Sequence, residues 1–353
     1  MALQDLWDSV KAWVNQPGQQ QLRVPIPAER TDLPPLAPLV PHASYFRLWL
    51  SEMFLDQQRA WFVDYQPMVH SIVKLKFGDR DGVSLATVAQ PPQAPAGSTI
   101  LLNYKMTELL PYNGGTIEID AALTALKTGN GLEPAIKILQ LFSGMVCVPL
   151  TPVLGIAERL ATGVQEVVAA SNGRTHLAIH DALRTGGPQG IGPGYIVVIR
   201  ATAADGLAPE RFSVQESRLY YAPIAGAKPV PFDLYDYMLF YVETMKERDD
   251  WRLKTIQEPL DEAIKAFVKG DKAEADAFLK AALTAALTSP DLSYPDRNRA
   301  AVSVRAELKQ LENQGLGAAP TEKRTLKEAI EVHAPSPAVV PTRLLTFSEV
   351  LGN

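Results

Sequence analysis

The first residues of the chain run in helical rhythm. Leu3, Leu6, Trp7, Val10, Trp13 and Val14 share one face, with Asp5, Asp8 and Lys11 between them. That pattern predicts an amphipathic helix. A helix lying in a membrane surface carries a strongly basic polar face, and one Lys against two Asp is not one. The helix is therefore expected to pack on the body of the protein. Pro17, Pro25, Pro27, Pro34, Pro35, Pro38 and Pro41 follow, interleaved with Val24, Ile26, Leu33, Leu36, Leu39 and Val40. Each proline fixes its own φ and biases its predecessor towards extended geometry, so this stretch reads as a strap and not as a helix or central strand. Helix and strap together occupy residues 1–41.

The rhythm changes at Ser44. Tyr45–Leu55 and Ala60–Asp64 read as a hairpin around Asp56-Gln57-Gln58-Arg59. Val69–Phe77 alternates, with Val69, Ser71, Val73, Leu75 and Phe77 set against His70, Ile72, Lys74 and Lys76; Gly78–Gly82 supplies turn residues, and Val83–Val88 returns as a strand. Thr99–Tyr104, Thr116–Ile119, His176–Leu183, Tyr195–Thr202 and Phe212–Tyr221 give further strands. Between them the pattern predicts helices over Ala121–Lys127 (with Asp120 as N-cap), from Glu133-Pro134, and over Val153–Ala170.

From Leu234 the reading is helical. Tyr235, Met238, Leu239, Val242 and Met245 make one stripe, and Ile256, Leu260, Ile264 and Phe267 a second, with Pro259 expected to open that helix. Gly270-Asp271 turns the chain, Asp271 and Glu274 frame a cap, and Arg297–Asn313 is a last helix. Ala263–Pro290 has the outline of one tetratricopeptide-type hairpin, but a single unit without a repeating period identifies no family. The fold class is thus α+β. An antiparallel sheet or sandwich spans 42–232 with a helical insertion at 120–171. A helical domain covers 233–315, and a helix with a Pro-containing tail covers 316–353. Pro223, Gly226, Pro229 and Pro231 mark the expected boundary.

Composition narrows the function. The 353 residues are 46% hydrophobic and 21% charged, normal for a well-cored protein of about two domains. A net charge of −5 argues against binding nucleic acid through phosphate neutralisation. A single cysteine excludes an intramolecular disulfide framework and a Cys-rich zinc site. The N-terminal pattern is not that of a signal peptide, so a cytoplasmic location is expected.

Each candidate site has a plain alternative. Ile138–Ala157 is 20 residues long and uncharged, the length of a bilayer span. However, Pro149 and Pro152 interrupt it and its flanks (Lys137; Glu158 and Arg159) are mixed in sign, so a buried helix-loop-helix is expected. His176 and His180, four apart, are expected on one face. Asp181 with His42 or His70 could complete a metal site only without support from spacing. Cys147 lies among apolar neighbours and reads as core. Gly186–Gly194 precedes a strand, not a helix, so it is no phosphate loop. Asp79 and Asp81 lack the spaced ligands of a calcium loop. Glu118 and Asp120 share one side of a strand and read as solvated carboxylates. No Gly-x-Ser-x-Gly, His-Glu-x-x-His or Walker lysine occurs.

The sequence therefore assigns no catalytic, cofactor-binding or metal-binding residue. It points to a non-enzymatic interaction or regulatory protein whose partner is another protein, with no constitutive membrane span. Two alternatives remain: an autoinhibited membrane-active effector using 138–170, and a hydrolase assembled from distant residues such as His176 or His180.

Overall fold

The computed structural model describes residues 2–16, 21–34, 36–56, 59–60, 63–77, 80–89, 100–127, 154–170, 173–183 and 193–314. The strands in chain order are β1 (Leu22–Ile26), β2 (Tyr45–Phe54), β3 (Arg59–Ala60), β4 (Val63–Phe77), β5 (Arg80–Ala89), β6 (Ile100–Lys105) and β7 (Leu110–Pro111). There follow β8 (Ile117–Lys127), β9 (Arg174–Leu183), β10 (Gly194–Ile199), β11 (Phe212–Gln215), β12 (Arg218–Tyr221), β13 (Val230–Pro231) and β14 (Tyr237–Met245). The helices are α1 (Ala2–Val14), α2 (Leu154–Ala170), α3 (Lys254–Lys269), α4 (Lys272–Thr288) and α5 (Tyr294–Asn313). The fold is α+β, with the strands of each sheet paired antiparallel.

The layers follow from which side chains alternate. The first sheet runs β1-β10-β14-β2-β6, with β7 also on β2. The second holds β4 between β8 and, successively, β3 and β5, and β9 closes it beyond β8. Phe46, Leu48, Leu50, Met238, Phe240 and Val242 of the first sheet meet Val69, Val73, Ile119, Ala121, Leu123 and Leu177 of the second in the main core. The opposite face of the first sheet presents Val24, Tyr195, Val197, Tyr237 and Leu239 to a small sheet, β11-β12-β13, through Phe212, Val214, Leu219 and Phe232. The opposite face of the second sheet is covered by helices. Leu160, Val164 and Val167 of α2 sit on Met68, Ile72, Val88 and Leu126, while Val10 of α1 sits on Ala122 and Ala178.

This layering corrects two expectations. Ala121–Lys127 is the body of β8, not a helix, and Asp120 is no N-cap. Tyr235–Met245 gives β14, a central strand between β10 and β2, so the helical stretch begins at Lys254. The cause is the same in both. A strand buried on both faces loses its polar alternation and reads as a near-continuous apolar run, which helical spacing fits by accident. Three smaller differences accompany these. Tyr45–Leu55 and Ala60–Asp64 form no hairpin with each other, because β2 pairs in the first sheet and β3 with β4 in the second. Pro259 lies inside α3, whose first turns are held by the buried Ile256 and Leu260. Phe212–Tyr221 is a hairpin, turning at Glu216 and Ser217, both at positive φ.

Other expectations meet their elements. α1 packs on the protein through Val10. Part of the proline strap pairs, as β1, with β10 at the edge of the first sheet, the position where Pro25 removes no ladder bond that a neighbour needs. Pro67 sits in β4 where β8 is its ladder partner, before β5 joins at Val69. Asp271 caps α4 by accepting from the Glu274 amide at 3.0 Å, and Gly270 turns the chain at φ 84°. The helix expected from Glu133, the loop Gly186–Gly192, Cys147, Asp79 and the tail 316–353 lie outside the described residues.

The helices of the C-terminal part pack on one another through Ile256, Leu260, Ala282, Leu292 and Val304. They join the first sheet at the start of β2. The Tyr45 hydroxyl donates to Asp296 Oδ2 at 2.8 Å and accepts the Ser293 amide at 2.8 Å. Asp296 Oδ2 also accepts the Arg248 amide at 2.9 Å, and its Oδ1 lies 3.0 Å from Arg299. The Arg248 guanidinium sits 5.8 Å from the Tyr45 ring and donates to the Asp291 carbonyl. Tyr45→Phe keeps the ring and deletes the hydroxyl, leaving a buried carboxylate and amide short of a partner. It is expected to lower stability by about 1–3 kcal/mol, read as an earlier midpoint in urea unfolding.

Candidate functional site

Two one-residue bulges decide where the buried ionisable groups point. In β2 the partners pass from Phe240↔Leu50 to Leu239↔Glu52, so Ser51 is the extra residue. Without it Glu52 would follow Leu50 into the main core. With it the carboxylate turns to the small sheet, where it accepts the Leu219 amide at 2.6 Å and faces Arg218 Nε at 3.4 Å. Burial pushes the Glu52 pKa up despite these partners. In β9 the partners pass from Leu123↔Leu177 to Thr124↔Thr175, so His176 is the extra residue.

The second bulge separates the two histidines that spacing placed together. His176 reaches across to the first sheet, with Nδ1 3.3 Å from Asp236 Oδ2. Asp236 is buried, accepts the Asp56 amide at 2.7 Å and lies 3.3 Å from Arg200. Burial would raise its pKa, but His176, the Asp56 amide and Arg200 outweigh that and hold the carboxyl below its usual range. His180 lies on the helix-covered face, directly opposite Asp120 in the β8–β9 ladder. The expected shared face of His176 and His180 is thereby corrected: an alternating period holds only while the ladder has no bulge.

Asp120 and His180 form the one close pair among the described residues that the sequence singles out. His180 Nδ1 lies 2.6 Å from Asp120 Oδ1, geometry for an Nδ1–H donating to a carboxylate. The His180 side chain is 35% exposed, whereas Asp120 is 1% exposed. Asp120 is therefore not the solvated carboxylate that its alternation suggests. Burial raises its pKa to about 6, opposed by His180 and by Lys11 of α1, while Glu118 on the same face adds to the rise. A buried carboxylate holding a half-exposed imidazole fixes the ring's orientation.

The remaining candidates are dispersed. Asp181 pairs with Arg23 of β1 at 2.5 Å. His42 stacks on Tyr294 at the start of α5, with ring centroids 4.9 Å apart. His70 is buried in β4, and burial alone lowers its pKa to about 4. Asp81 lies in β5. Among the described residues no three His, Cys, Asp or Glu side chains come together as metal ligands. Likewise, no described helix is long and apolar enough to cross a membrane. Glu52, Asp236 and the Tyr45–Asp296 joint escape the sequence reading. The one available signal was a lone acid inside an apolar run, as at Glu52 between Ser51 and Met53, or Asp236 between two tyrosines. No family model, no curated protein and no solved structure matches the chain.

Two pH dependences follow. The Asp120 pKa is raised from 3.8 to about 6 in the folded state. Its contribution to stability is thus complete below pH 3.8 and is lost as pH rises through 6. Asp120→Asn keeps an oxygen for His180 and removes the charge. It is expected to stabilise the protein by about 1–3 kcal/mol at pH 7.5 and to give no gain at pH 3.5. His70 has the opposite sign, lowered from 6.5 to about 4. Its contribution is complete above pH 6.5 and is lost as pH falls towards 4, so His70→Gln should flatten the acid limb of the stability profile. Urea unfolding at a series of pH values measures both.

Proposed function

We propose that the protein is a non-enzymatic interaction or regulatory protein of the cytoplasm, and that it presents an apolar loop of the small sheet to another protein. The observation that supports this reading is the exposure of Ile224 (67%), Leu234 (58%) and Val230 (48%) within a few residues of one another in the chain. Single exposed aliphatic side chains are ordinary, but three on one short segment are a feature of recognition surfaces. The backbone beneath them is pinned. Arg211 donates to the Pro223 carbonyl at 2.8 Å, Val230 and Pro231 pair with Tyr221 and Tyr220, and Phe232 is buried between the sheets. Pro223, Pro229 and Pro231 restrict what freedom is left. An apolar surface held this way loses little entropy when a partner covers it.

The hydrolase alternative draws on a different observation, the oriented His180 imidazole. One panel separates the two readings. The full chain, an Ile224→Asp/Leu234→Asp variant and a His180→Gln variant are used as bait in the source cells, and bound proteins are quantified by mass spectrometry. Loss of a loop anchor costs an interface more than about 1 kcal/mol, so the double variant is expected to lose a defined partner at least about tenfold. His180→Gln should retain that partner and the wild-type biological activity. Unchanged capture by the double variant, or activity lost only with His180, would overturn the interaction reading.

A further inference from the structure

Ile224, Val230 and Leu234 are exposed around β13, the outer strand of the small sheet. That edge refuses one mode of cover. Val230 stands opposite Tyr221 and Pro231 opposite Tyr220, and the Phe232 amide donates to the Leu219 carbonyl at 3.0 Å. This sets the phase of the ladder: Val230 and Phe232 turn their amides inward, and Pro229 and Pro231 hold the outward positions. Neither proline has an N–H to give. A strand laid along this edge would meet acceptors alone, so the loop is covered by side chains and not by strand addition. Two exposed charges frame the aliphatic side chains, Lys228 ahead of Val230 and Asp233 beside Leu234.

We propose that residues 343–351 of the same chain cover this loop, so that it is closed in cis until a partner displaces them. The inference rests on the reading of the loop as a recognition surface. The described residues end at Gln314, and residues 315–353 follow. Among these, Leu344, Phe347 and Leu351 recur at spacings of three and four, an apolar face of helical period. Arg343 and Glu349 frame that face. Laid antiparallel to the loop, Arg343 meets Asp233 and Glu349 meets Lys228. Laid parallel, like charges meet, which fixes the direction. The tether is long enough. Residues 315–342 extend up to about 90 Å, against a radius of gyration of about 20 Å for a folded chain of this length. Tethering presents the segment at an effective concentration of about millimolar, so a weak contact suffices to close the loop.

The full chain carrying Phe347→benzoylphenylalanine tests this, by irradiation at low protein concentration and peptide mapping. The expected result is a crosslink within one molecule to residues 223–234, reduced at least about tenfold by Ile224→Asp/Leu234→Asp. Arg343→Glu should weaken the crosslink, and adding Asp233→Arg should restore it. Absence of the crosslink, its formation only between molecules, or its confinement to other parts of the chain would overturn the closure. In the capture panel, Leu344→Asp/Phe347→Asp should raise recovery of the loop's partner at least about tenfold. A partner that is lost with the loop variant but unchanged by the segment variant leaves the recognition reading standing and removes the closure. The intramolecular crosslink with no partner captured does the reverse.

Discussion

The first sheet is covered on both of its faces, and most of the molecule is arranged to meet that constraint. One face closes the main core against the second sheet, and the other receives the small sheet. A strand in that position serves two cores with alternate residues, so it has no face left for polar side chains. At Glu52, where the sequence nevertheless carries an acid, the chain changes phase. The extra Ser51 in β2 turns Glu52 out of the main core and towards an amide that needs an acceptor. The extra His176 in β9 does the converse, sending an imidazole between the sheets to Asp236 while His180 stays under α1.

The buried charges share a further trait, since each sits where two layers meet. Glu52 joins β2 to the small sheet, Asp236 joins β14 to β9 and β10, and Asp296 joins α5 to β2. Apolar contact between layers is tolerant of sliding, because its energy depends on area and not on direction. A carboxylate with defined donors is not tolerant, since a small shift strands a charge in a low-dielectric interior. These groups set the register between layers that the hydrophobic cores hold together.

Much of this was legible in the sequence. The Gly270-Asp271 turn and the amphipathic α1 announce their elements, because each has one face in water or a turn residue with a single conformational reason. Val69–Phe77 does so because Ser71 and Lys74 still break its apolar run. β8 and β14 did not, because burial on both faces erases the alternation that identifies a strand. The Asp120–His180 pair was half legible. Both residues stood out, but their pairing depends on the β8–β9 register, which sequence alone does not carry. The bulge at His176 was not legible, since nothing in Arg174–Leu183 marks which residue the ladder skips.

The strand order sets a schedule for synthesis. In the first sheet β2 lies beside β14, and β10 lies on the other side of β14. The central strand of that sheet is therefore the last of its strands to leave the ribosome. Until Tyr237–Met245 emerges, β2 and β10 each present an unpaired edge and an uncovered apolar face. Translation proceeds at about 5–20 residues per second, so β2 waits some tens of seconds for its neighbour. For that interval the nascent chain is a set of incomplete half-sheets, and its exposure to aggregation and its demand for chaperones are set by one late strand.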